Sequence, residues 1–145
     1  MVALNHDSNI DELHTVLIIS RDVDLVRVWE SLSDQKSYRI FSETSAKSGA
    51  QSARVLTPAL IVLDLDLPED EQMNLCRELR ASTNGTILLL ASERDKAEIA
   101  DYLRAGVDEF IAAPVSPMAL LIKAMTWLAR QDWVVPRRKV LHMAA

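Results

Sequence analysis

The segment LIVLDLDLP, Leu60 to Pro68, ends an apolar run with Asp64 and places Asp66 two residues further on. In an open parallel sheet, ligands and chemistry gather at the carboxyl ends of the strands, where the strand order switches direction. Asp64 stands at such an end, and the strand ends expected to meet it close at Ser20, Ala91 and Ala113. Asp66 is read as a solvated loop carboxylate, and Asp22 as the N-cap of the first helix. The other chemistry-bearing residues form no constellation. His6, His14 and His142 have no metal-ligand spacing and are read as surface residues. Cys76, the single cysteine, falls beside Leu75 and Leu79 on a helix, where a buried thiol is expected, and it leaves no cluster for zinc or an iron–sulfur centre. The three glycines, Gly49, Gly85 and Gly106, are too far apart for a phosphate-binding loop, which argues against a small-ligand module for flavin or nucleotide.

These residues must be positioned by the elements around them. With 145 residues, 49 % hydrophobic and 26 % charged, the chain has the size and composition of one globular domain. Val16 to Ile19, Arg39 to Phe41, Leu60 to Leu63, Ile87 to Leu90 and Glu109 to Ala112 read as strands, each followed by a stretch of helical period. LIVL and ILLL are apolar throughout, as strands covered on both faces are. The expected architecture is a three-layer α/β sandwich. Leu25, Val28, Trp29 and Leu32 give the first helix its stripe, and Ile99, Tyr102 and Leu103 the fourth. Trp29 and Trp127 are core or interface anchors. Gly106 is expected to end the fourth helix, and Ser116-Pro117 to open the fifth. Ser45 to Val55 contains Gly49, costing about 1 kcal/mol relative to alanine, so the second helix is expected to be short or mobile.

Residues 1–13 are read as a flexible N-terminal segment, 14–130 as the folded domain and 131–145 as an extension, because Pro136 interrupts the helical period. Trp133, Val134 and Val135 would fold back on the domain or meet a partner. Arg137, Arg138 and Lys139 form a short basic run, but a net charge of −5 argues against nucleic acid or anionic lipid as partner. No signal-like start or membrane-length apolar run is visible, and a cytoplasmic location is expected.

LIVLDLDLP, GVDEFIAAP and the opening VLIISRD, in that spacing over roughly His14 to Arg130, together resemble the receiver domain of bacterial two-component response regulators. The resemblance implies a flavodoxin-like (βα)5 sandwich with strand order 2-1-3-4-5. It makes Asp64 the equivalent of the aspartate that accepts a phosphoryl group from a histidine kinase. It also implies Mg²⁺ held by acidic residues to offset the charge of the reaction.

Several positions depart from that pattern. Ser20 and Arg21 replace the acidic pair after the first strand, Ala91 the hydroxyl residue closing the fourth, and Ala113 the lysine before Pro114. Mg²⁺ binding is therefore expected to be very weak, with no cofactor. Ser92 follows Ala91 but is expected to face the other way. Gln72 stands where a glycine usually follows the third strand, and a different loop path is expected. Phe110 takes the place of the switch aromatic without a tyrosine hydroxyl, and Pro114 is a candidate for a cis peptide bond. An Arg21–Asp64 ion pair is expected to fill the pocket. The leading expectation is a non-enzymatic pseudo-receiver that signals through protein contacts on its fourth helix, fifth strand and fifth helix. A second copy of the chain and a histidine kinase are candidate partners, and a working phosphoacceptor is the alternative.

Overall fold

The five apolar runs form strands β1 (His14–Ser20), β2 (Tyr38–Glu43), β3 (Leu60–Asp64), β4 (Thr86–Ser92) and β5 (Glu109–Ala113). In the structure, a computed structural model, residues 14–31, 38–92 and 98–144 are described, the side chains as far as Arg130. The readings of residues 1–13, His6 and Leu32, and those of the Trp133, Arg137 and His142 side chains, lie outside the described residues. All strand pairs are parallel, in the order β2-β1-β3-β4-β5 expected for the flavodoxin-like sandwich.

Helices α1 (Val23–Glu30), α2 (Ala46–Leu56), α3 (Glu69–Ser82), α4 (Ile99–Arg104) and α5 (Pro117–Ala144) alternate with the strands. Side chains alternate across a strand, so the central strands β1, β3 and β4 each feed two cores. Val16, Ile18, Leu60, Val62, Leu88 and Leu90 pack with Leu25 and Trp29 of α1 and with Leu120, Ala124 and Leu128 of α5. Leu17, Ile19, Ile61, Leu63, Ile87 and Leu89 pack with α2, α3 and Tyr102 of α4. Of the α4 stripe, Tyr102 is buried while Leu103 is exposed. The end of α4 follows the sequence signal. Gly106 takes φ +114°, its N–H donates to Leu103 O, and Val107 N–H donates to Tyr102 O, both at 3.1 Å. Ser116 caps α5 by accepting Ala119 N–H at 3.0 Å.

Two helices depart from expectation. α2 is not short: it runs 11 residues, longer than α1 or α4. Its glycine serves packing, since a Cβ on Gly49 would lie 2.7 Å from Ile19 Cδ1. The close approach of α2 to the sheet offsets the propensity cost. α5 does not stop near Arg130 but continues through Pro136 to Ala144, 28 residues in all. Proline removes one donor yet already holds a helical φ, and Arg137, Arg138, Lys139, Leu141 and Met143 are good helix formers.

At the amino edge of the sheet, Arg80 of α3 ties two connections together, α3–β4 and α4–β5. Its guanidinium donates to Thr83 O, Gly85 O, Gly106 O and Asp108 Oδ2, and the same Asp108 oxygen accepts Ile87 N–H at 2.8 Å. Arg80→Ala is expected to lower the unfolding free energy by about 2–3 kcal/mol in denaturant titrations, with little recovery in Arg80→Lys, which lacks the planar fork. Thr57, at the end of α2, is a β-branched residue held at φ 41°. Thr57→Gly is expected to raise the unfolding free energy by about 1 kcal/mol in the same titrations.

Candidate functional site

The strand order switches direction between β1 and β3, and their carboxyl ends stand side by side with Ser20 registered on Asp64. Alternation turns both side chains toward the α1/α5 face. There the buried Ser20 hydroxyl donates to Asp64 Oδ2 at 2.8 Å and accepts the Asp22 N–H at 2.9 Å. Asp22 caps α1 as expected: its Oδ1 accepts Asp24 N–H at 3.0 Å and Leu25 N–H at 3.2 Å. Three consecutive residues thus link the end of β1, the start of α1 and the Asp64 carboxylate.

Burial pushes the Asp64 carboxyl above its ordinary pKa. The Ser20 hydroxyl works against that rise and the nearby negative charge of Asp22 adds to it. The expected Arg21–Asp64 pair does not form. Arg21 leaves the strand one residue after Ser20, and its Nε donates instead to Thr44 O at 3.1 Å on the exposed side of the β2–α2 connection. Arg21 lies just beyond the end of β1, and its guanidinium is engaged at the β2–α2 connection rather than at Asp64.

Ala91 packs into the core shared with α3 and α4. By alternation Ser92, paired with Ala113, faces away from Ala91 as expected, which gives it the sheet face that carries Ser20 and Asp64. The Ala113–Pro114 bond is cis. Phe110 is half-buried with its ring 6.1 Å from that of Tyr102. Gln72 lies within α3, where the helical backbone has no need of glycine; its side chain is buried and its Oε1 has no hydrogen-bond partner. Leu65 to Pro68 form the short connection after β3.

Residues outside the site follow other roles. Cys76 is buried and its thiol is pushed up to about 12, which leaves it unreactive at neutral pH. His14 is not simply on the surface: half-buried, it stacks on Tyr38 with ring centres 5.8 Å apart. Among the described residues no group of three or more His, Cys, Asp or Glu side chains is placed to hold a metal ion. The sequence missed the Ser20 hydroxyl as a partner of Asp64. Its signal would have been the matching ends of VLIIS and LIVLD once those strands are set in parallel.

A raised native pKa means that folded protein holds the Asp64 proton more tightly than unfolded protein does. Its contribution to stability is therefore lost as pH rises from 3.8 through the native value, and at pH 7 the ionised carboxylate is a cost. Asp64→Asn is expected to be more stable than the wild type at pH 7 by roughly 0.5 kcal/mol, allowing for solvent on its open side. Denaturant titrations at a series of pH values should show the difference closing toward pH 3.8.

Comparison with known proteins agrees with this geometry. Residues 16–125 match the response regulator receiver domain family. The transcriptional regulatory protein AfsQ1 of Streptomyces coelicolor is 30 % identical over 117 residues, covering 80 % of this chain and 52 % of that protein. The response regulator ArlR of Staphylococcus saprophyticus is 28 % identical over 116 residues, covering 80 % and 53 %. The chain thus spans about half the length of these curated relatives. Among solved structures, the receiver domain of the response regulator TorR superposes with a TM-score of 0.67 at 22 % identity, covering 81 % of this chain and 98 % of that one. A two-component response regulator from Clostridium difficile gives 0.68 at 21 %, covering 82 % and 98 %. These two likenesses speak for the fold. With strand order, Asp64 at the switch point and the family match in agreement, this chain belongs to the response regulator receiver domain family, the receivers of two-component signalling.

Proposed function

We propose that this receiver works without Mg²⁺-dependent phosphorylation of Asp64 and passes its signal on through protein contacts. The observation that carries the reading is the fate of the two positions where the family keeps its acidic pair. Ser20 spends its hydroxyl on Asp64, and Arg21 turns away to Thr44 O. Mg²⁺ demands oxygen ligands in near-octahedral order. Here Asp22 is the carboxylate whose charge is felt at Asp64, and it is engaged as the α1 cap. The residues present do not fit the ion.

The face proposed to carry the output flanks β5, where α4 exposes Leu103 and α5 exposes Met118 and Ile122. A protein partner would dock there, and a second copy and a histidine kinase remain candidate partners of the domain. Residues 14–130 are taken as the signalling unit, with α5 extending beyond it to Ala144. Among the described residues, no helix is long and apolar enough to cross a membrane.

A phosphoacceptor reading has one observation in its favour: Ser92, on the Asp64 face, could offer the hydroxyl that Ala91 lacks. Incubation with a small-molecule phosphoryl donor and Mg²⁺, followed by intact-mass spectrometry, separates the two. Neither the wild type nor Asp64→Asn is expected to gain the mass of a phosphoryl group. A gain in the wild type alone would overturn the proposal and restore Asp64 as nucleophile.

A further inference from the structure

Between α2 and α3, on the side of the sheet away from α1 and α5, runs an open cleft of about 380 Å³. Its floor is low because α2 offers Ala46 and Ala50 there, with Leu75 of α3 opposite. Its banks carry ordered polarity. The α2 bank presents Lys47, Gln51 and Arg54, and the α3 bank presents Glu71, Asn74 and Glu78, all six exposed. One bank therefore reads cation, amide, cation and the other anion, amide, anion. In each the charges are seven residues apart, about 10.5 Å along a helix. Both helices follow strands of one parallel sheet and cover the same face, so they run in the same direction.

We infer that this cleft is a self-association surface, with a second copy of the chain as its occupant. The charge order selects one symmetry. A two-fold axis lying along the cleft sets α2 of each copy on α3 of the other, running the same way. Lys47 then faces Glu71 of the partner subunit, Arg54 faces Glu78 of the partner subunit, and Gln51 faces Asn74 of the partner subunit, each twice. A two-fold axis across the cleft would set cations on cations and anions on anions. Within one copy Arg54 Nη1 reaches Glu78 Oε2 only at 3.8 Å, with both side chains more than half exposed. So loose a pair exchanges readily for an intermolecular one. The floors of the two clefts face each other across the axis, inside a polar rim. Because solvent-exposed charges supply the selectivity, the association is weak and sensitive to salt.

Sedimentation of the full chain over a concentration series, at low and at high ionic strength, tests this. The wild type is expected to form a dimer at low salt that dissociates at high salt. Arg54→Glu and Glu78→Arg, each checked for its fold by circular dichroism, are each expected to weaken self-association about tenfold or more. Their equimolar mixture is expected to regain wild-type association, because only the mixed dimer restores every cation–anion contact. Lys47→Glu and Glu71→Lys provide the same swap at the other pair should either first variant fail to fold. A wild type that stays monomeric at low salt would overturn the inference. So would a dimer untouched by the single variants, or a mixture no tighter than its components.

Discussion

β3 must be dry on both faces, and the rest of the domain follows from that requirement. Leu60 to Leu63 are wholly excluded from solvent. A strand so buried has to pair its backbone groups on both edges and cover both faces. β1 and β4 supply the edges, α1 with α5 one cover, and α2 with α3 and α4 the other. Asp64 is the first residue to emerge from this strand. Its carboxylate sits where the dielectric begins to rise, high enough to be ionisable and low enough to make ionisation a cost.

The site can be understood as a response to that cost. A receiver that binds Mg²⁺ offsets the charge of its aspartate with a metal. This chain places a neutral donor, the Ser20 hydroxyl, against the carboxylate and leaves the guanidinium next to it in sequence to cap the β2–α2 connection. A hydroxyl lowers the penalty without importing further charge, which is compatible with a carboxylate that is held rather than used.

The two edges of the sheet are built differently. At the amino edge, Arg80 and Asp108 lock α3, β4 and the α4–β5 turn into one network, and Glu109 accepts from Trp127 and Lys123 of α5. At the carboxyl edge, Ser20 joins β1 to Asp64 and to the start of α1, and Arg21 reaches the β2–α2 connection.

Local pattern alone determined much of this protein. The alternation of apolar runs with helical stripes gave five βα units, Asp22, Ser116 and Gly106 announced their caps, and LIVLD located the site. Each of these signals depends only on neighbours in sequence. What the sequence could not decide depended on distance between segments. Gly49 looked like a weakness until Ile19 was found beneath it. Pro136 looked like a stop, although the backbone carries the helix past it. Arg21 was paired with the wrong partner, because which groups lie within reach of a strand end is fixed by the neighbouring segments. Composition and periodicity specify what an element is; only tertiary packing specifies which of its residues meet, since one position's shift along a strand exchanges the two faces.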